Sequence, residues 1–374
     1  MKRAMHIVLY VLAAVAAAFL IFLLTAVITD YRPAEKEVLQ DLSGISGTSC
    51  EERPENPALH NSDGSGIIGT TAGVLPDSLS ILCWNIGYGG LGDDMDFFYD
   101  GGTQVRTSRE RTKANIDGII AEIRRHSPDI VLLQEVDECS RRTYRINEVE
   151  MLRRAFPDYH IFLGYNYKSF LVPIPLKAPM GRVASGVVLM SRIAPEEVVR
   201  WQYPSRFPWP VNMFNLKRCL LTATFRLADG SCIVIGNTHN TAYDTGGMRT
   251  AETRWLGEMT ARLASEGTPF IIGGDWNQFP PDYTPSAAET GDPHFTTVAL
   301  DTALLQGTGR IAWDPSARTL RHLNVPYGPE SVLTVTDYFY ISHDVRTDSV
   351  RTIDLSYRYS DHQPVLLKAT LPPQ

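Results

Sequence analysis

Eight polar residues stand where apolar runs of this chain break off: Asn85, Glu135, His239, Asp275, Asn277, Asp337, Asp361 and His362. Their types are those of hydrolytic and metal-assisted chemistry. A glutamate such as Glu135 offers hard oxygen atoms suited to Mg2+ or Mn2+, ions usually held by one or two carboxylates with water completing the shell. Histidine exchanges protons near neutral pH. Asp275 and Asn277 lie two residues apart just past an apolar run, so a turn there can aim both side chains the same way. Taken singly, each of these is an ordinary cap or turn residue, because Asn and Asp favour turns. Their joint placement at strand ends is what points to a site.

The elements that must carry them follow from hydrophobic periodicity. Ile81-Leu82-Cys83-Trp84-Asn85 and Ile130-Val131-Leu132-Leu133 are short continuous apolar runs, which read as buried strands, with Glu135 at the carboxyl end of the second. Between them Ile116, Ile119, Ile120 and Ile123 recur at helical spacing behind Ser108, a candidate N-cap, and Ser127-Pro128-Asp129 stops the helix. Further strands are predicted over 185–192, 219–226, 232–238 and 270–273, with a helix marked by Trp255, Leu256, Met259 and Leu263 between the last two. Ala228-Asp229-Gly230 turns a hairpin. Pairing it about Asp229-Gly230 sets Cys232 opposite Leu227 and Cys219 opposite Asn240, so a disulfide between those cysteines is not expected. Many strands with interspersed helices predict an α/β domain of two packed sheets with helices outside, over residues 76–374.

The amino terminus is different. After Lys2 and Arg3 the chain runs from Ile7 to Thr29 without a charge; at about 1.5 Å per residue it spans roughly 34 Å, enough to cross the hydrocarbon core of a bilayer. Residues 1–32 are therefore read as a signal anchor, a cleaved signal peptide being the competing reading. The basic end should stay in the cytoplasm, which puts the rest of the chain outside it. Residues 33–75, with Pro33, Pro54, Pro57 and the stretch Ser43-Gly44-Ile45-Ser46-Gly47-Thr48, read as a flexible linker. A net charge of −7, from 35 basic and 42 acidic residues, disfavours a protein that grips polyanions by bulk electrostatics. Five cysteines without a CxxC spacing exclude a four-cysteine zinc site and leave the redox compartment, and the state of Cys50, open.

The ordered series Trp84-Asn85-Ile86, Leu133-Gln134-Glu135-Val136, Ser185-Gly186-Val187-Val188-Leu189-Met190-Ser191-Arg192, Asn237-Thr238-His239, Gly274-Asp275-Trp276-Asn277, Thr336-Asp337-Tyr338 and Ser360-Asp361-His362-Gln363-Pro364-Val365 resembles the endonuclease/exonuclease/phosphatase superfamily over residues 80–370. The pair Gly-Asp-x-Asn and Ser-Asp-His-x-Pro is the most specific part. The resemblance implies a four-layered αββα sandwich and metal-dependent hydrolysis of a phosphoester. Such a reaction needs charge neutralisation on the phosphoryl oxygens, an oriented nucleophile and a stabilised leaving oxygen.

By resemblance Glu135 is the principal ligand of Mg2+ or Mn2+, with Asn85 beside it and Asp361 facing the metal. Asp275 corresponds to the aspartate that orients or deprotonates water, Asn277 to its helper, Asp337 and His362 to a charged clamp, and His239 to a second phosphate-contacting histidine. Gly87 stands where the repair nucleases of the family often carry an aspartate, which puts a second metal carboxylate there in doubt.

Three features bear on substrate. The acidic segment Asp93–Gly102 reads as a solvated loop, with a place at the active site or a second cation as the alternatives. The stretches 168–177 and 201–210 combine apolar or aromatic residues with cations; packing against the sandwich, base stacking and entry into a lipid interface all remain open for them. The leading expectation is a membrane-anchored phosphodiesterase acting on nucleic acid, phospholipid or a small phosphodiester, with no protein partner inferred. A phosphomonoesterase of small metabolites or lipid headgroups and a noncatalytic binder of phosphorylated ligands are the alternatives.

Overall fold

The computed structural model describes residues 2–45, 50, 72–244, 247–292 and 297–372. Its two sheets grow from the apolar runs. One sheet has seven strands in the spatial order β1-β6-β7-β8-β9-β13-β10: β1 (Lys36–Val38), β6 (Glu197–Gln202), β7 (Cys219–Arg226), β8 (Cys232–His239), β9 (Phe270–Asp275), β13 (Asp337–Ser342) and β10 (Gly309–Ala312). The other has six in the order β14-β15-β2-β3-β5-β4: β14 (Arg346–Thr352), β15 (Val365–Thr370), β2 (Ser78–Asn85), β3 (Ile130–Asp137), β5 (Gly181–Ser191) and β4 (His160–Val172). A small ladder joins β11 (Leu320–Arg321) to β12 (Leu333–Thr334).

Each large sheet contains one parallel pair, β8 with β9 and β2 with β3, and every other pairing is antiparallel. A parallel pair requires a crossover. Here the crossovers are α2 (Arg109–His126) between β2 and β3, and α4 (Met248–Ser265) between β8 and β9.

Helix α2 begins where the sequence predicts, with the Ser108 hydroxyl accepting from the Arg111 amide at 3.1 Å, and it ends at Ser127 in a left-handed conformation. Its isoleucines Ile116, Ile119, Ile120 and Ile123, with Leu152 of α3 (Glu148–Ala155), cover the outer face of the six-stranded sheet. Leu256 and Met259 of α4 cover Phe270, Ile272 and Tyr340 of the other. Between the sheets lie Cys83, Leu132, Phe162, Val187, Leu221, Ile235, Ile271, Phe339 and Leu367. Burying each large apolar side chain contributes about 1.5–3 kcal/mol, so these three packed seams hold the expected αββα layers together.

One polar bridge crosses that dry interface. Gln134 donates to Asn237 Oδ1 at 2.7 Å, and Asn237 Nδ2 donates to the Leu133 and Val188 carbonyls, each at 2.9 Å. The Asn237 side chain is fully paired, while Gln134 Oε1 has no hydrogen-bond partner among the described residues. The bridge joins the two sheets one residue before Glu135 and two before His239.

Two sequence readings need correction. The β7–β8 hairpin pairs Arg226 with Cys232 and Leu220 with Thr238, one residue away from the register expected. The loop is one residue longer: the Leu227 amide donates to the Ser231 carbonyl, leaving Ala228, Asp229 and Gly230 in the loop, and Gly230 takes the positive φ of 86° that a short loop needs. Cys219 and Cys232 still do not face each other, and both are free. The second concerns the stretch expected as a linker. Lys36–Val38 add an edge strand to β6, the Leu42 amide donates to Ile161, and Cys50 forms a disulfide with Cys139. A three-residue strand leaves no periodic signal in a sequence, and a disulfide between distant cysteines leaves none either. Residues 46–49 and 51–71 of that stretch lie outside the described residues.

Ahead of it, α1 (Lys2–Thr29) is the apolar helix. Its span Arg3–Thr29 is long and apolar enough to cross a membrane, and its most apolar window is not buried against the protein.

Candidate active site

Side chains at the carboxyl ends of the two parallel pairs meet. β2 ends in Asn85, β3 carries Glu135, and the last paired residues of β8 and β9 are His239 and Asp275. Ligand sites of open α/β sheets lie at such ends. Asn85 Nδ2 donates to Asp275 Oδ2 at 3.0 Å, which ties one sheet to the other. His239 Nε2 lies 3.5 Å from Asp275 Oδ2 and 3.8 Å from Glu135 Oε1.

Glu135 reaches this place through a distortion. Leu133 faces the helix layer and Gln134 the partner sheet, so regular alternation would send Glu135 under the helices. Instead the β3–β5 register slips between Leu133 and Val136, Val136 takes the outer position, and Glu135 adopts a φ of 55°. Bulges of this kind re-aim side chains beside active sites. Among the β3 residues only Glu135 escapes full burial.

Asn277 is likewise left-handed, at φ 51°. Its amide N–H donates to Asp275 Oδ1 at 3.0 Å, and its side chain donates to the Asn240 carbonyl at 2.9 Å and to Asp275 Oδ2 at 3.3 Å. Asp275 is thus held by both asparagines. Burial pushes its carboxyl up to about 6, although the neighbouring His362 cation pulls it down.

His362 sits on the loop before β15, fixed by Trp84 Nε1 donating to its carbonyl at 2.9 Å and by a bridge to Leu320 of β11. Its Nδ1 is 2.8 Å from Asp337 Oδ2. Burial opposes its charge, yet Asp337, Asp275 and Asp361 together push it up to about 10. His239 is the opposite case: burial first, then the Arg218 charge, holds it well below the usual histidine range. One histidine is built as a cation and the other as a neutral ring.

Ligand atoms of Asp275, Asp337 and His362 lie within 4.8 Å of one another, a spacing that could also suit a metal. The hydrogen bonds argue for a clamp instead, since Asp337 already engages His362 and the asparagines already engage Asp275. That leaves the carboxylates of Glu135 and Asp361, each within the other's electrostatic reach. Burial pushes Asp361 up to about 7, His362 offsets this, and Glu135 adds to it. The backbone leaves room beside them: a Cβ on Gly87, where φ is 50°, would lie 2.8 Å from Asp361 Oδ1.

The structure therefore gathers all eight sequence-predicted residues around one mouth, and it adds others. Buried atoms without a hydrogen-bond partner among the described residues include His239 Nδ1, Asp337 Oδ1, Tyr88 Oη, Arg218 Nη1 and Asn240 Nδ2. These five belong to site residues or to neighbours that interact with them, and each is a polar group left without an internal partner. Arg218 precedes β7 and lies in the electrostatic field of Glu252, Glu135 and Asp275. Arg142 is bidentate to Asp137 at 2.8 and 3.0 Å and stacks 3.6 Å above the Tyr88 ring. Sequence reasoning passed over both arginines, whose only signal was a cation at the end of a strand or just past one. The acidic segment is mostly paired: Asp93 and Asp94 with Arg111, Asp96 with Thr103, and Asp100 with Tyr243.

The model of the Endonuclease/Exonuclease/phosphatase family matches residues 82–362, from within β2 to His362 itself. The chain belongs to this family. As a member it is a hydrolase of phosphoester bonds. No curated protein matches it by sequence. Among solved structures, the endonuclease/exonuclease/phosphatase from Beutenbergia cavernae is 19% identical, with a TM-score of 0.54 over 79% of this chain and 72% of that one. ANGEL2, a 2',3'-cyclic phosphatase in complex with adenosine-2',3'-vanadate, is 16% identical, with a TM-score of 0.51 over 79% and 96%. The catalytic domain of human Nocturnin is 18% identical, with a TM-score of 0.49 over 79% and 95%. At these identities the likeness is one of fold.

Proposed function

We propose that the protein is a divalent-metal-dependent phosphodiesterase held on the outer side of a membrane. The observation that carries this reading is the convergence of Asn85, Glu135, His239 and Asp275 from two sheets on the Asp337–His362 pair. Glu135 and Asp361, with Asn85 beside them, would hold Mg2+ or Mn2+, which would supply neutralisation of phosphoryl charge. The Asp275 carboxylate, once ionised, accepts a proton from the attacking water, and Asn277 keeps that carboxylate in position. The His362 cation, braced by Asp337, donates a hydrogen bond to a phosphoryl oxygen and stabilises the charge that develops there. Neutral His239, beside Asp275 and Glu135, and the unpaired Arg218 Nη1 complete the donor set.

Export is supported by the apolar α1 behind Lys2 and Arg3 and by the Cys50–Cys139 disulfide, since such bonds persist in oxidising compartments. Matched mono- and diester nitrophenyl phosphates test the chemistry: the diester should be cleaved in Mg2+ and spared in chelator. Exclusive cleavage of the monoester would overturn the reading.

A further inference from the structure

Helix α1 does not hang from the domain by a loose tether. Tyr31, two residues past its end, packs edge-on against Tyr165 and lies near Lys168 and Arg200. Asp30 pairs with Lys217 at 3.2 Å, and Ala26 is buried. Higher up the helix, Phe22 stacks on Phe214 at 5.7 Å between ring centroids and tilts against Phe170 at 5.9 Å. Phe170 belongs to the end of β4, and Phe214 to a short 3-10 turn over Val211–Phe214. Two loops therefore grip the last two turns of the helix.

That grip sets a depth. From Phe22 to Thr29 the helix rises about 10 Å, and the remainder from Ala4 to Ile21 is about 27 Å long. The hydrocarbon core is about 30 Å thick. At roughly 18 residues the free part of α1 is at the short end of the helices that span a bilayer. A helix gripped this close to its spanning stretch holds Phe170 and Phe214 at the boundary of the outer leaflet.

Their composition fits that depth. Leu176, at the tip of the β4–β5 connection, is 86% exposed, Trp209 68% and Val211 46%. Among the described residues Leu176 and Trp209 are the two most exposed large apolar side chains outside α1. Lys177 and Arg206 are exposed beside them, as expected where cations meet headgroup phosphates and Trp occupies the interface. Ile174 and Leu216 pack in one cluster, so the two loops form a single surface.

We propose that Leu176, Trp209 and Val211 form a membrane-docking surface that sinks into the outer leaflet beside α1. This inference rests on the reading of α1 as a membrane span. It fixes orientation as well as attachment. The β4–β5 connection lies at the same end of the sheet as Glu135, beyond the Val172–Gly181 pair, and the Val211–Phe214 turn leads into Arg218, whose charge is felt at His239. Docking therefore sets the catalytic mouth at the level of the lipid headgroups, and phosphoesters carried by lipids reach it most directly.

The test uses the full chain reconstituted into vesicles of phosphatidylcholine and phosphatidylglycerol. Trp209 emission is obtained as the difference between the wild-type chain and Trp209→Phe, once in ordinary lipid and once in phosphatidylcholine brominated near the carbonyl end of its acyl chains. Docking predicts that bromine quenches more than half of that difference signal, and that Leu176→Glu with Val211→Glu restores it while the chain still floats with the vesicles. Flotation with equal Trp209 emission in both lipids overturns the docking surface and leaves the anchor standing. A chain that fails to float overturns the anchor, and the docking surface with it.

Discussion

Replacing Gly87 by alanine adds one methyl group at the point where the proposed cation cradle is narrowest. The new Cβ would lie 2.8 Å from Asp361 Oδ1, 3.0 Å from Leu91 Cβ and 3.2 Å from Leu91 Cδ1, on a backbone at φ +50°. Two costs follow. The left-handed conformation costs an alanine about 1–2 kcal/mol, which lowers the melting temperature by a few degrees in a domain of this size. In addition the Asp361 carboxylate must retreat by several tenths of an ångström, and metal sites tolerate about 0.2 Å. The Mg2+ concentration that gives half-maximal hydrolysis of bis-p-nitrophenyl phosphate should therefore rise about tenfold or more, equivalent to at least ~1.4 kcal/mol. Gly89→Ala is the control, because Gly89 has a φ of +59° and its Cβ would meet the Ile116 side chain at 2.5 Å, with no carboxylate among its nearest contacts. It should melt earlier and keep the wild-type metal requirement. Equal metal requirements in the two variants would refute the placement of the cation beside Asp361.

Hydrolysis should follow a bell in pH, rising as the elevated Asp275 carboxyl ionises near 6 and falling as His362 loses its proton near 10. Asp337→Asn removes a charge that raises His362, so the alkaline limb should move to lower pH; an unmoved limb in the pH–rate profile contradicts the clamp. Arg218→Gln should lower kcat/KM by roughly 10- to 150-fold, the worth of a charge-assisted hydrogen bond of about 1.5–3 kcal/mol, and unchanged kinetics would remove Arg218 from the substrate's contacts. Cys139→Ser opens a loop whose ends are 89 residues apart and should reduce unfolding free energy in urea by about 2–4 kcal/mol; an unchanged midpoint would show that the disulfide adds nothing to stability.

What was legible in the sequence is what local pattern encodes. The isoleucines of α2 and its Ser108 cap announce a helix, and the runs ending in Asn85 and near Glu135 announce buried strands. The motif order then gave the fold class and the eight residues of the mouth. Features set by distant pairing were hidden. The left-handed turn of Glu135 depends on a register slip against β5, and the union of Cys50 with Cys139 depends on how residues 36–45 fold back over the sandwich. The β7–β8 register turned on whether the loop used two residues or three, a choice made by Gly230 and its neighbours rather than by the apolar pattern. Arg218 acquires its meaning only when the fold sets its charge near His239 and Glu135, which no spacing along the chain reveals.

Glu135→Gln tests metal-dependent hydrolysis most directly, because it keeps the size of the side chain and removes the charge proposed to hold the cation. In saturating Mg2+ the variant should hydrolyse bis-p-nitrophenyl phosphate at least ~100-fold more slowly than the wild-type chain, the scale of losing a major electrostatic contributor, while its thermal melt stays unchanged. A folded variant with turnover close to wild type would contradict the assignment of Glu135 and the mechanism built around it.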